Sequence, residues 1–80
     1  MDDQEIVAQI GELAAEEQRL EEAHVGEGLT DDERARKREL EITLDRLWDM
    51  LRQRRAKRSA GQDPDDAHER PAGTVEGYLQ

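Results

Sequence analysis

The sequence predicts an all-α protein, an antiparallel two-helix hairpin of coiled-coil-like character that self-associates and carries a partly ordered C-terminal tail. Apolar residues recur at alternating spacings of four and three along two long segments, which is the pattern of a helix with one buried stripe. A short glycine-containing link joins the segments, and such links connect antiparallel helices. With 80 residues and no cysteine, the chain holds at most one domain, without disulfides or a zinc knuckle.

The first segment predicts a helix over residues 3–24. An aspartate at position 2 or 3 caps its start, where acidic side chains also suit the positive end of the helix dipole. Glutamates four residues apart repel each other along this helix, so we expect basic residues of another segment to neutralise them. The apolar seam consists of Ile6, Ile10, Leu13, Glu17, Leu20 and His24.

The second segment predicts a helix over residues 31–59 after a turn at residues 25–29. Gly26 suits a left-handed cap, and Thr30 with Glu33 has the spacing of a capping box. Gly61 and Pro64 stop the helix. The predicted division is therefore a hairpin over residues 1–61 and an acidic and apolar tail over residues 62–80. The seam of this helix consists of Leu40, Leu44, Leu47, Leu51, Arg54 and Arg58.

Two short features are predicted in the tail. Residues 62–66 form a turn or a single capped helical turn with Pro64 at its first position. Residues 70–73, Arg-Pro-Ala-Gly, break regular structure.

Charge changes sign along the chain. Residues 1–33 carry twelve acids and one base, residues 34–58 carry ten bases and four acids, and the net charge is −9. In a hairpin where residue i faces about residue 54 − i, the acids of the first helix lie beside bases of the second. That register leaves residues 52–60 overhanging, with bases that lack first-helix acids opposite them. The acidic tail can fold back onto these bases.

The apolar content is low, at 34% hydrophobic against 41% charged residues. A single hairpin therefore has a thin core, and pairing of two hairpins into a four-helix bundle would bury the second face of Trp48. We predict a dimer. The sequence contains no apolar segment long enough to span a membrane, and its acidic start differs from a signal peptide, so we predict a cytoplasmic protein without membrane contact.

The sequence argues against an enzyme. Ser59 is the only serine, and the two histidines, His24 and His68, are more than forty positions apart. A nucleophile needs a neighbouring base in a sheltered cleft, which a two-helix hairpin does not offer. The tail acids lack the spacing of a calcium-binding loop. We expect no catalytic residue, no metal site and no cofactor.

The functional prediction depends on the basic end of the second helix and on the tail. Arginine and aromatic residues dominate protein-binding hot spots. The basic stretch has three open interpretations: it is neutralised within the chain or solvated, it docks an acidic protein surface, or it binds nucleic-acid phosphates. The candidate partner-binding residues are Trp48, Arg52, Arg54, Arg55, Lys57, Arg58, Tyr78 and Leu79.

The acidic overall charge weighs against nucleic acid, as does the lack of stacking aromatics beside the bases, because we expect Trp48 to pack in the core. The leading prediction is a small non-enzymatic adaptor or regulator that binds an unknown protein partner. Nucleic-acid or ribonucleoprotein binding through the same bases is the alternative, and a purely structural dimer is another.

Three stretches of the chain carry a family resemblance. Residues 44–56, centred on Trp48, are followed by Gly-Gln-Asp-Pro-Asp at 61–65 and by Val-Glu-Gly-Tyr-Leu-Gln at 75–80. With the opening Met-Asp-Asp, these stretches resemble the domain of unknown function 2630 family of short, mainly actinobacterial proteins. The resemblance covers nearly the whole chain and implies a complete protein. It implies no activity, but the shared ending implies that residues 75–80 dock in cis or on a partner.

Overall fold

The computed structural model describes residues 1–23 and 28–79, except for the side chains of residues 23 and 77–79. In chain order the elements are α1 (Asp3–Ala23), α2 (Asp31–Ser59), a single 3-10 turn (Pro64–Asp66) and α3 (Ala72–Leu79). All regular elements within the described ranges are helical, which confirms the all-α prediction. His24 and the predicted left-handed Gly26 lie outside the described residues.

Local sequence signals define both ends of α2. The Thr30 hydroxyl accepts a hydrogen bond from the Glu33 amide at 3.2 Å, and the Glu33 carboxylate accepts one from the Thr30 amide at 2.9 Å. This pair is the predicted capping box. After the helix, Gly61 adopts a left-handed conformation with φ of 74°. The amide of Gly61 donates to the carbonyl of Arg58 at 3.1 Å, and the amide of Gln62 donates to the carbonyl of Lys57 at 2.7 Å. The helix therefore ends in a Schellman motif, for which glycine is the favoured residue.

The start of α1 is capped by Asp2, one of the two predicted candidates. Its carboxylate accepts a hydrogen bond from the amide of Glu5 at 2.8 Å. In return, the Glu5 carboxylate accepts from the Asp2 amide at 3.4 Å. This reciprocal arrangement satisfies amides that have no partner within the helix.

Helices α1 and α2 pack side by side and run in opposite directions, because Asp3 lies beside Arg54 whereas Glu16 lies beside Arg36. Their contact forms a small core. The buried members are Ile6, Ile10, Leu47 and Leu51, with Leu13, Leu44 and Met50 packed against them.

The register at the start of α1 differs from the predicted one. Asp3 pairs with Arg54 and Glu21 with Lys37, three and four positions beyond the expected sum of 54, whereas the pair of Glu16 with Arg36 is two positions short of it. An apolar seam that repeats every three or four residues fits its partner almost equally well after sliding by one step. The buried pairing at Asp3 distinguishes the two registers, and it shortens the predicted overhang of α2.

The segment after α2 returns along that helix. Asp63 caps the Pro64 turn by accepting from the amide of Asp65 at 2.9 Å, as the composition of residues 62–66 predicts. Side chains of α2 then hold the returning backbone, because Gln53 donates to the carbonyl of His68 at 2.8 Å. Arg46 likewise donates to the carbonyl of Arg70 at 2.9 Å.

The prediction that residues 70–73 break regular structure holds for Arg70 and Pro71 only, because Ala72 and Gly73 begin α3. Pro71 precedes a helix, since its carbonyl accepts hydrogen bonds from the amides of Thr74 at 3.0 Å and Val75 at 3.2 Å. A proline lacks only an amide that a first helical turn leaves unpaired, so it suits a helix start as well as a break. Val75 is completely buried and anchors α3 on the rest of the chain.

Candidate functional site

The structure divides the five bases at the end of α2 into two groups. Arg54 and Arg58 form ion pairs with the start of α1. Over residues 1–23 and 28–79, Arg52, Arg55 and Lys57 take part in no ion pair. Among the described residues, no acid neutralises the charge of this second group.

Arg54 is buried, at 7% exposure, and joins three elements. Its guanidinium donates to Asp3 at 2.5 Å, to Asp65 at 3.0 Å and to the carbonyl of Pro64 at 3.2 Å. The hydrogen bond to Asp3, followed by that to Asp65, raises the pKa of Arg54. Arg58 donates to the same Asp3 carboxylate, and the hydrogen bond from Arg54, with the charge of Arg58, lowers the pKa of Asp3.

Two expectations about these bases have different outcomes. The expectation that they lack first-helix acids is wrong for Arg54 and Arg58, because the shifted register brings both to Asp3. The expectation that the acidic tail folds back onto the basic stretch is confirmed by the contact of Asp65 with Arg54.

A groove of about 350 Å³ lies between the end of α2 and the returning tail. Two alanines leave space in it, while long polar and basic side chains line the remainder. A smaller pocket of about 160 Å³, lined by Asp49, Arg52, Gln53, Ala56 and Arg70, continues the groove along α2. The residues that line the groove are Gln53, Ala56, Lys57, Ala60, Gln62 and Arg70.

The acid at this site, Asp49, is enclosed and neutralised. It is 3% exposed, and its carboxylate lies 3.3 Å from Nε of Arg70 and accepts a hydrogen bond from Gln53 at 3.0 Å. Gln53 is fixed from both sides, because the same amide nitrogen reaches the carbonyl of His68. Because Arg70 neutralises Asp49, Arg52 and Lys57 give the combined groove an excess of positive charge.

Trp48 does not pack in the core as the sequence predicts. It is 44% exposed, because Leu47 occupies the position that faces α1 and the next residue lies about 100° further around the helix. Tyr78 and Leu79 belong to α3, but their side chains lie outside the described residues.

Sequence reasoning missed most of the groove. Gln53, Ala56 and Ala60 follow one another at spacings of three and four, so a shared helix face was visible in the sequence. Gln62 and Arg70 come from the returning tail. Their positions depend on the path of the chain after Gly61, which no local pattern specifies.

Two further classes of site receive no support. Within residues 1–23 and 28–79, no three histidine, aspartate or glutamate side chains come together as metal ligands. Among the described helices, none is both long and apolar enough to cross a membrane.

Known relatives match the chain over almost its full length. It is 47% identical over 77 residues to the uncharacterized protein Rv0898c of Mycobacterium tuberculosis (strain H37Rv), covering 95% of this chain and 88% of that one. The uncharacterized protein Mb0922c of Mycobacterium bovis matches with the same identity and coverage. No solved structure matches. A family model described as "Protein of unknown function (DUF2630)" matches residues 2–80, and the chain therefore belongs to the DUF2630 family.

Proposed function

We propose that this chain is a non-catalytic protein-binding module whose groove receives an acidic segment of a partner protein. The observation that carries the proposal is the convergence of Arg52, Lys57 and Arg70 on a groove between α2 and the tail. The enclosed Asp49 already has its partners, so an incoming carboxylate meets bases without competition from an exposed acid of the lining.

The shape of the groove supports a side-chain-sized ligand group. Ala56 and Ala60 leave room beside α2, and Gln53 and Gln62 supply neutral hydrogen-bonding groups along the same surface. A glutamate or aspartate side chain entering there reaches charged donors, and charge-assisted hydrogen bonds are the stronger class. Because the contact is open to solvent, the binding should be weak and should fall as salt rises.

The contacts of the basic side chains and the composition of the groove favour protein binding over nucleic-acid binding. Two of the five bases at the end of α2 already bind Asp3, which reduces the charge available to phosphates. No aromatic residue is among the groove residues, so a base-stacking platform has no support there.

A nuclear magnetic resonance titration of the isotope-labelled chain with a Glu- and Ala-rich peptide tests the proposal. We expect the largest amide shifts at Gln53, Lys57 and Gln62. Lys57→Glu should weaken binding by about tenfold or more, since it removes one charge-assisted bond worth about 1.5–3 kcal/mol and adds repulsion.

The matched control is Arg55→Glu, which makes the same charge change at the same end of α2 but outside the groove. It should weaken binding much less than Lys57→Glu. Equal losses in both variants would mean attraction by overall charge alone and would contradict the groove. A single-stranded oligonucleotide that binds more tightly than the peptide would favour the nucleic-acid alternative.

A further inference from the structure

The molecule is flat and open for its size. It measures 50 by 25 by 15 Å, with a radius of gyration of 14.9 Å, whereas a compact chain of this length has about 12 Å. Its accessible surface is 5544 Å², against about 4,900 Å² for a compact monomer of this mass. Domains usually bury their apolar faces between two layers, so a second layer has room here.

One broad face of the molecule carries exposed apolar side chains. Val7 is 53% exposed and Trp48 is 44% exposed. Val7 follows the core residue Ile6, and Trp48 follows the core residue Leu47. Each side chain is therefore rotated about 100° around its helix from the direction that faces the other helix. In antiparallel helices this rotation leads to the same side, so Val7 and Trp48 flank the core on one face.

We propose that a second copy of this chain covers the face that carries Val7 and Trp48, with α1 of each copy lying over α2 of the other. Charge favours this arrangement. Helix α1 carries seven acids and one base, whereas α2 carries ten bases and seven acids. A two-fold axis parallel to the helices places acidic α1 over basic α2 twice, while a perpendicular axis would bring the two acidic helices together.

The face is large enough and suitably shaped for a stable dimer. The two longer extents of the molecule are 50 and 25 Å, which leave room for the roughly 800 Å² that a standard interface needs from each partner. In the facing α1, a Cβ built on Gly11 meets nothing within 4 Å, so the single chain leaves space there. The Trp48 indole of the other copy can occupy this space, with Ala14 one turn further along.

This interface is independent of the groove. Lys57 follows Trp48 by nine positions, half a rotation around α2, so the groove of about 350 Å³ and the apolar face lie on different sides of the helix, whereas Arg52, four positions after Trp48, lies between that face and the smaller pocket. A dimer built in this way keeps two grooves open, one on each copy. If the peptide does not bind, the dimer proposal is unaffected. If the chain is a monomer, the proposal for the groove is unaffected.

Sedimentation of the full chain over a range of concentrations tests the proposal. We expect a monomer–dimer equilibrium, and Val7→Lys should raise its dissociation constant about tenfold or more by placing an unpaired charge in the interface. Gln9→Lys adds the same charge to the other flank of the exposed surface of α1 and should change nothing. A monomer at all concentrations, or equal effects of the two variants, would overturn the proposal.

The single tryptophan gives a readout without any mutation. Trp48 emission should shift to shorter wavelength as the wild-type chain associates, because the indole leaves water. Circular dichroism of Val7→Lys is the control for folding. We expect an unchanged helical signal, because the Val7 side chain is exposed. A dimer that forms with no change in Trp48 emission would exclude this face as the interface.

Cross-linking tests the axis. The chain lacks cysteine, so a chain carrying Gln18→Cys can be mixed with one carrying Glu41→Cys. Gln18 lies three turns from Val7 on the same side of α1, and Glu41 two turns from Trp48 on the same side of α2. Mild oxidation should join the two different chains. A disulfide that forms only between two chains carrying Gln18→Cys would overturn the proposed axis.

Discussion

Arg54 shows what a single buried charge does in this thin molecule. Its guanidinium binds the start of α1 through Asp3 and the tail through Asp65. A buried charge is tolerated when each of its donors has a partner, and removing one member of such a set leaves the others unsatisfied. The sequence predicts Arg54 as a partner-binding residue, but in the structure its side chain joins α1, α2 and the tail.

We predict that Arg54→Ala lowers the thermal midpoint of unfolding well below that of Arg38→Ala. Arg38 belongs to the same helix, is exposed and, among the described residues, forms no ion pair, so its loss should be close to neutral. Circular dichroism melts of the two variants make the comparison. Equal midpoints would show that the Arg54 contacts contribute nothing net to folding.

At the scale of an element, the start of α2 is specified by two side chains. Thr30 and Glu33 satisfy each other's backbone amides, so the helix begins at Asp31 without help from packing. We predict that Thr30→Ala costs about 1 kcal/mol, which lowers the midpoint by about 4–8 °C for a domain of this size. Thermal melts measure the shift.

Thr43→Ala is the matched control, because the same substitution is made inside the same helix. The Thr43 hydroxyl donates back to the carbonyl of Glu39, a bond that does not help the helix, and alanine is the better helix former. Its effect should stay within about 0.5 kcal/mol. A cost at Thr43 as large as that at Thr30 would mean that side-chain packing, and not capping, decides both results.

The predictability of the elements follows from how local their signals are. The capping box, the left-handed Gly61 and the capped Pro64 turn each need only neighbouring residues, and sequence reasoning identifies all three. The helix after Pro71 was missed, because proline marks a helix start and a break equally well. Burial of Val75 depends on a distant surface of α2 and has no local signal.

At the scale of the whole molecule, the register and the groove were beyond sequence reasoning for one reason. A seam of leucines and isoleucines specifies which faces meet, but it fits after sliding by three or four residues. The contacts that select one alignment, Asp3 with Arg54 and Gln53 with the backbone of His68, join residues far apart in sequence. The short link between the helices predicted the antiparallel direction correctly, and the charge pattern agrees with it because it changes over tens of residues.

Ion pairs between α1 and α2 also predict how the whole molecule responds to pH. Hydrogen bonds from Arg54 and Arg36 lower the pKa values of Asp3 and Glu16 below their ordinary 3.8 and 4.5, so this stabilisation is complete above those values and is lost as pH falls. The hydrogen bond with Glu21 raises the pKa of Lys37 above 10.5, so its contribution is lost only as pH rises through that raised value. We therefore expect a plateau in the thermal midpoint between pH 4.5 and pH 10.5.

One substitution tests whether Glu16 causes the loss of stability on the acid side of that plateau. Glu16→Gln should lower the midpoint at neutral pH, and the difference from wild type should disappear as Glu16 becomes protonated at low pH. Glu12→Gln removes an exposed acid of the same helix that pairs with none of the described residues, so it should leave the profile unchanged. A constant difference between Glu16→Gln and wild type down to the lowest pH would contradict an electrostatic role. The loss would then come from packing of the Glu16 side chain against α2.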